Sequence, residues 1–134
     1  MTLQHAKAGR RRLWRGVLLA LAFALVAVPA LAAASVAVTI DGHPKRSDPV
    51  RAIVDGTYTI VLTVTNGKVT KPIPWPEADG LRLSGSGFNP HTNGFSFFIT
   101  PLRPGDFTVP AFDFSTDDGQ TLHVDPIKFH VTAS

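Results

Sequence analysis

The chain of 134 residues contains no cysteine. This absence excludes disulfide bridges, thiol nucleophiles and zinc centres with thiolate ligands. Charged residues are sparse, at 17% of the sequence, and beyond residue 34 no segment has the apolar period of an amphipathic helix. The length suits one domain. A domain of this size without cross-links can be held together by its apolar core alone.

The first 32 residues have the composition of an export signal. Five basic residues precede a charge-free apolar run, Gly16 to Val28, and small residues follow it. A basic region, a short apolar region and an Ala-x-Ala site are the parts of a secretory signal peptide. Ala30 and Ala32 fit that site. We therefore expect residues 1–32 to be a signal peptide helix, cleaved after Ala32 or, as a second choice, after Ala34.

Two alternatives remain open for this segment. Leu13 to Ala34 is long enough to be an uncleaved anchor, since a span takes about 20 residues. Arg10-Arg11 followed by Leu13 also fits a twin-arginine signal, although no cofactor motif calls for export in the folded state, so we favour the general secretory route. With no cysteine after the apolar run, a lipoprotein anchor is excluded. Residues 33–134 are expected in the periplasm or on the extracytoplasmic face of the inner membrane.

Removing the signal changes the charge of the protein. Five of the 13 basic residues and none of the 10 acidic residues lie in residues 1–32. Residues 33–134 therefore carry eight basic and ten acidic residues, a net charge of −2 instead of the +3 of the whole chain. A nucleic-acid partner is not expected, because such binding depends on excess positive charge.

Turn signals recur at near-regular intervals through residues 33–134. They are Asp41-Gly42, Asp55-Gly56, Asn66-Gly67, Asp79-Gly80, Asn93-Gly94, Pro104-Gly105 and Asp118-Gly119. Asx-Gly pairs supply the positive φ angles that tight turns require. Such spacing is typical of a sandwich or barrel of short antiparallel strands.

Apolar and polar residues alternate between these turns. Positions on the predicted apolar face include Val36, Val38, Ile40, Ile60, Leu62, Val64, Phe95, Phe97, Ile99, Phe107, Val109, Leu122, Val124, Ile127, Phe129 and Val131. The opposite face is rich in threonine or charged, as expected where one face of a sheet meets water. The pattern predicts an all-β fold, an immunoglobulin-like antiparallel β-sandwich of about seven strands.

Prolines punctuate two stretches of this pattern. Pro104-Gly105 makes a turn, and Pro110 interrupts the following strand at an edge or a bulge, where a missing N–H is tolerated. Phe112 and Phe114 should then resume the core side. Lys71 to Gly80, KPIPWPEADG, should be an extended connection, with Trp75 covering one end of the core. The glycines of LSGSG that follow indicate a bulge or a loose edge strand.

The sequence gives catalysis little support. A metal site from His123, Asp125 and His130 is one hypothesis, since imidazole and carboxylate groups are common ligands. On a continuous strand, however, residues 123 and 130 face opposite ways. Asp117-Asp118-Gly119 lacks the pattern of a calcium loop and predicts a hairpin turn. We expect no catalytic residue, no cofactor and no metal.

Binding has more support than catalysis. Trp75, with Phe88, Phe95 and Phe98 nearby in sequence, could form an aromatic patch for a protein or a glycan. Phe98 breaks the alternation and should face the threonine side. The edge near Asp106 to Phe114 could accept a strand from a partner. The candidate partner-binding residues are Trp75, Phe98, Asp106, Thr108 and Pro110.

Three blocks of sequence, in this order, carry a resemblance to a known family. They are SVAVTIDGHPKRSDPVRAIVDGTYTIVLTVTNG, PIPWPEADGLRLSGSG and PLRPGDFTVPAFDFSTDDGQTLHVDPIKFHV. Together they resemble the amino-terminal immunoglobulin-like domain of BatD, the Bat-operon "oxygen tolerance" family. The most specific part is P-x-x-P-G-x-F-x-V-P, residues 101–110, followed by the Asp-Gly pair.

The resemblance implies a cell-envelope accessory protein without established catalytic residues. The implied partners are von Willebrand factor A-type membrane proteins encoded alongside it and a MoxR-type ATPase on the cytoplasmic side. Family members are typically longer, with further similar domains and a membrane helix near the carboxyl end. This sequence is truncated relative to them, with one domain that ends at Ser134, and its membrane contact would be through an uncleaved amino-terminal segment.

These observations predict an exported, non-enzymatic scaffold or interaction module in an envelope complex, linked to oxygen tolerance or stress. The alternative is a periplasmic β-sandwich that binds a glycan or a protein through its aromatic patch.

Overall fold

The computed structural model describes residues 32–134. The predicted signal peptide helix and the alternative anchor fall mainly on residues 1–31, which lie outside the described residues, and cleavage after Ala32 stays a prediction. Ala33–Ser134 form one compact unit of strands and loops. No helix in this described part has the length and apolarity needed to cross a membrane. The strands are β1 (Ser35–Ile40), β2 (His43–Pro44), β3 (Val50–Ile53), β4 (Tyr58–Thr65), β5 (Leu81–Asn89), β6 (Gly94–Pro101), β7 (Gly105–Val109), β8 (Phe112–Ser115), β9 (Thr121–Val124) and β10 (Ile127–Thr132).

The strands form three sheets. Five of them make an antiparallel sheet in the order β2-β1-β4-β6-β5, and β8 and β9 make a hairpin of their own. The third sheet has the order β3-β10-β7, in which β3 runs parallel to β10 and β7 runs antiparallel to it. The all-β prediction is confirmed. The three-stranded sheet is mixed, however, because β3 pairs with β10 in parallel, so the predicted antiparallel arrangement is wrong for that pair.

The described residues contain ten strands, and not the predicted seven or so. The additional strands β2 and β3 lie in the segment 43–53, where prolines and charged residues hide the alternation. The third additional strand results from Pro110, which was expected to interrupt a single strand. It instead separates β7 from β8, and these strands join different sheets. A proline cannot donate a ladder hydrogen bond, so the chain leaves the sheet there.

Each of the seven predicted turn pairs contains a residue with positive φ. The residues are Asp41, Gly42, Asp55, Asn66, Gly80, Asn93, Gly105 and Gly119. Asp41 (49°) and Gly42 (82°) are both positive, as a two-residue type I′ hairpin between β1 and β2 requires. The predicted positive φ is therefore confirmed in each pair, and in the described part of the chain three of the pairs, Asp41-Gly42, Asn93-Gly94 and Asp118-Gly119, join strands that pair with each other.

The core lies between the five-stranded sheet and the other two sheets. Ile60 and Leu62 of β4 are fully buried, and Phe129 of β10 is 1% exposed. Tyr58 of β4 meets Phe129 edge to face, with ring centroids 6.3 Å apart. One cluster of buried side chains contains residues from both sides. The fold is thus sandwich-like, and the predicted apolar faces are the faces that pack.

Phe112 and Phe114 of β8 both pack on this core, as the sequence predicted. Trp75 also packs against it and is partly buried. The glycine-rich stretch forms part of β5, which is an edge strand with an irregularity in register between Leu83 and Gly85. The predictions of a bulged edge strand and of a tryptophan that covers the core are confirmed.

Candidate functional site

The connection from β4 to β5 crosses the core-facing side of β6. We call residues 68–79 the proline-rich segment. Pro72, Pro74 and Pro76 restrict the preceding residues to extended conformations and donate no backbone hydrogen bond, so the segment stays outside the sheets. Trp75 anchors it, because its ring stacks on Phe97 with centroids 4.4 Å apart and planes 21° apart.

Polar contacts fix the start of the proline-rich segment. Asp117, in the β8–β9 hairpin, accepts hydrogen bonds from the Thr70 backbone N–H at 2.9 Å and from the Thr70 hydroxyl at 3.0 Å. The Asp117 N–H donates to the Lys68 carbonyl at 2.7 Å. The segment is therefore held on two sides, by β6 through Trp75 and by the hairpin through Asp117.

A groove lies between the proline-rich segment and the strands β5 and β6. We call it the apolar groove. Its volume is about 850 Å³, and its apolar lining consists of Val69, Pro72, Ile73, Phe88, Phe95 and Phe97 together with Pro90 and Gly87. Phe88 is 52% exposed and packs against Phe95 with centroids 4.7 Å apart. Lys68 and Lys71 lie in the wall, and no acidic residue does. Such a surface suits an apolar ligand with negative charge.

A second groove of about 790 Å³ lies on the other side of Trp75. It includes two exposed leucines, Leu83 and Leu102, but also Glu77, Asp79 and Arg82. Asp79 is paired with Arg103 at 2.6 Å. This second groove is therefore mixed in charge and more polar in character than the apolar groove.

Asn93 holds the loop that closes one end of the apolar groove. Its side-chain amide donates to the carbonyls of Val64 and Gly67, both at 3.0 Å, from a backbone with φ of 55°. We expect Asn93→Ala to destabilise the protein by about 1–3 kcal/mol, because two partly buried carbonyls lose their donor. Urea unfolding of the full chain measures this. Asn89→Ala, which removes one exposed contact to the His91 N–H, should cost less, and equal losses would contradict this role of Asn93.

The structure separates the predicted aromatic residues. Phe97 and Ile99 of β6 point into the core, so Phe98 between them lies on the opposite face, beside Thr59. A Cβ atom built on Gly85 would lie 3.4 Å from the Phe98 ring. The prediction that Phe98 faces the threonine side is confirmed. For the same reason Phe98 does not join Trp75 in one patch, and the aromatic residues at the apolar groove are Phe88, Phe95 and Phe97.

The other predicted partner-binding residues lie on or next to β7. Asp106 and Thr108 are exposed on this strand, and Pro110 follows its last residue. Because β7 is last in the order β3-β10-β7, the predicted sheet edge is present. Asp106 Oδ1 lies 2.6 Å from His130 Nδ1 across the strand pair. Strand addition at this edge stays a prediction.

The residues of the metal hypothesis do not converge. His123 on β9 lies between two carboxylates, with Nδ1 2.6 Å from Asp113 and Nε2 3.2 Å from Asp125. His130 pairs instead with Asp106. Among residues 32–134 no group of three or more histidine or acidic side chains is placed to hold a metal ion. His123 therefore belongs to an exposed hydrogen-bonded cluster, and its geometry gives the metal hypothesis no support.

The pKa of His123 should be raised above its ordinary value of 6.5, chiefly by the hydrogen bond to Asp113, with partial burial opposing the shift. The charged imidazole is thus favoured in the folded state, and its stabilising effect is complete below pH 6.5 and lost as the pH rises through the raised pKa. Titration of His123 by NMR should show the raised pKa. Asp113→Asn should lower it more than Asp125→Asn does, because Asp113 is the larger cause. Equal effects would contradict the assignment.

Sequence reasoning did not single out Lys68, Lys71 and Ile73, and it considered Phe88 only as a neighbour of Trp75. The signal available was local: a proline-rich stretch with two lysines, followed by a glycine-rich edge strand. No local sequence pattern predicts that this stretch packs against β5 and β6, because that packing is a tertiary contact.

Comparison with known proteins gives one result. Residues 33–131 match the family model described as the BatD DUF11 like domain. No curated protein and no solved structure matches the chain. The match includes all ten strands except the end of β10, and it contains both walls of the apolar groove. The chain therefore belongs to the BatD family.

Proposed function

We propose that this protein is an exported, non-enzymatic scaffold or interaction module of a cell-envelope complex, linked to oxygen tolerance or stress. The observation that carries the proposal is the BatD match over residues 33–131. The composition of residues 1–32 supports export to the periplasm or the extracytoplasmic face of the inner membrane. In this proposal the domain is an immunoglobulin-like sandwich, which is supported by two layers of strands around a shared core.

The partners in this proposal are membrane proteins with a von Willebrand factor A domain. The surface is better suited to a protein partner than to a glycan. Aromatic side chains that bind sugars need an open ring face, whereas Trp75 stacks on Phe97 and meets Phe112 edge to face at 5.4 Å. The apolar groove, in contrast, combines an exposed phenylalanine with further apolar side chains, and an exposed apolar surface of this kind favours protein contacts.

Cross-linking in the native envelope tests the proposal. The full chain would carry a carboxyl-terminal tag, and the cross-linked products would be identified by mass spectrometry. We expect membrane proteins with a von Willebrand factor A domain among the products. Recovery of the protein without any cross-linked partner, under conditions that cross-link a known envelope complex, would contradict the scaffold role.

A further inference from the structure

One edge of the five-stranded sheet is open. β5 is last in the strand order, and from Arg82 to Asn89 the described residues pair its backbone with β6 alone. An edge strand presents a row of N–H and C=O groups that another strand can bind. Proteins commonly protect such an edge with a bulge or a charge. Here the bulge lies between Leu83 and Gly85, so the stretch after it, Gly85–Asn89, keeps a regular register.

The open stretch has little side-chain cover. A Cβ atom built on Gly87 would meet no atom within 4 Å. Glycine at such a place in a strand lets another backbone approach closely. Ser86 and Phe88 flank Gly87, and all three residues line the apolar groove. The open backbone and the apolar groove are therefore parts of one continuous surface.

The charge of this surface is one-sided. Lys68 and Lys71 lie in the groove wall, and none of the ion pairs in the described part of the chain includes either lysine. Asp117 lies close by in the hairpin, where it accepts two hydrogen bonds from Thr70, but it is not part of the groove lining. An incoming segment with acidic side chains would complement the two lysines.

We propose that β5 and the apolar groove bind an extended, acidic segment of a partner protein as an added strand. The segment pairs with the backbone of Gly85–Asn89 and places alternate apolar side chains beside Phe88 in the groove. Its acidic side chains lie near Lys68 and Lys71. In strand addition the backbone pairing supplies affinity, and the pockets for alternate side chains supply specificity. The inference rests on the proposed function, because it assigns the surface through which an interaction module would act.

Selection from a library of random nine-residue peptides, displayed against the full chain in detergent, tests this inference. We expect enrichment of peptides with alternating β-branched or aromatic residues and with aspartate or glutamate at one end. The Lys68→Glu, Lys71→Glu double variant should instead enrich basic peptides, since the charge of the groove wall is reversed. Failure to enrich alternating peptides, or an unchanged charge preference in the double variant, would overturn the inference.

A pair of matched variants locates the binding surface. Phe88→Asp should weaken the binding of an enriched peptide at least about tenfold, because the apolar contact is lost and a like charge is added. Ile53→Asp is the control, since Ile53 is 45% exposed on β3, away from the groove. It should leave binding unchanged. Equal weakening by both variants would overturn the inference. Unchanged binding by Phe88→Asp would overturn it too, provided that this variant unfolds at the same temperature as wild type.

Cross-linking of Phe88→Asp in the native envelope separates this inference from the proposed function. If Phe88→Asp loses a partner that wild type retains, the result supports both the scaffold role and the groove as its binding surface. A partner retained by Phe88→Asp leaves the scaffold role standing and overturns the groove as its binding surface. If wild type has no partner, the scaffold role fails, and the peptide selection decides the inference. A dimer of the full chain that Phe88→Asp dissociates would overturn it as well, because the occupant would be a second copy.

Discussion

Gly80→Ala is expected to destabilise the protein by about 2–5 kcal/mol. Gly80 has a φ of 74°, and an alanine there costs about 1–2 kcal/mol in backbone strain. A Cβ atom would also lie 2.4 Å from Cε1 of Phe107, so the ring must move, which adds about 1–3 kcal/mol of overpacking. Urea unfolding of the full chain, followed by circular dichroism, measures the loss.

Gly42→Ala separates the two causes. Gly42 has a similar φ of 82°, but no atom lies within 4 Å of its Cβ position. It should therefore show the backbone strain alone. A further Phe107→Leu substitution should recover part of the loss in Gly80→Ala, although it also removes the contact between Arg103 and the ring at 4.9 Å. If Gly80→Ala and Gly42→Ala are equally destabilised, the contact with Phe107 is not a cause.

This prediction concerns the candidate site as well as stability. Gly80 connects the proline-rich segment to β5, and its carbonyl accepts a hydrogen bond from the Leu102 N–H at 2.8 Å. A shift of the turn would therefore move the segment relative to the strand that forms the opposite wall of the apolar groove. We expect Gly80→Ala to weaken peptide binding even at temperatures where the protein remains folded.

Phe129→Ala is expected to have an effect of similar size or larger, about 3–5 kcal/mol. Phe129 is 1% exposed, lies in the middle strand of β3-β10-β7 and meets Tyr58 of the opposite sheet. Truncation removes buried area and leaves a cavity between the layers. A domain of this size is stable by about 5–15 kcal/mol in total. Phe129→Ala should lose a large fraction of this stability, and urea unfolding would show the loss as a lower midpoint.

Phe88→Ala is the matched control for Phe129→Ala. Both residues are phenylalanines on strands, but Phe88 is 52% exposed and packs mainly on Phe95. We expect a loss of less than about 1.5 kcal/mol from Phe88→Ala, because roughly half of its surface stays in contact with water in the folded protein. The same variant should weaken peptide binding. A larger loss of stability for Phe88→Ala than for Phe129→Ala would contradict the described core.

The turn pairs and the apolar faces could be predicted because both are local properties. Asp, Asn and Gly accept a positive φ wherever they occur, so Asp55, Asn66 and Asn93 mark strand ends without regard to the rest of the fold. The alternation of Ile60, Leu62 and other apolar residues depends only on the geometry of an extended strand. The same local rule placed Phe98 on the face opposite to Phe97.

The pairing of the strands could not be predicted in the same way. β3 pairs in parallel with β10, from Val50 with Phe129 to Ile53 with Thr132. The two strands are far apart in the chain, and β3 offers only four residues, of which Ala52 is the one that is buried. A short strand of this kind has too weak a pattern to be recognised, and its partner is selected by packing on the core.

The candidate site was predicted in part. Trp75 was expected to cover the core, and it does so against Phe97. The predicted patch included Phe98, which the structure places on the opposite face of β6, and the lysines of the groove were missed. No residue of the groove indicates a binding site by itself. In the sequence, Lys68 and Lys71 are typical of solvated charges, and Phe88 is one aromatic residue in a glycine-rich strand. Their common position arises from a contact between segments separated in sequence.

The sequence by itself determined the positions of the turns, the buried face of most strands and membership of the BatD family, because these depend on residue types at fixed local spacing. The tertiary structure alone decided that Pro110 divides two sheets, that β3 joins β10, and that the proline-rich segment and β5 enclose the apolar groove. These features depend on which distant segments bury their apolar surface together, and that choice is made by the packing of the whole core.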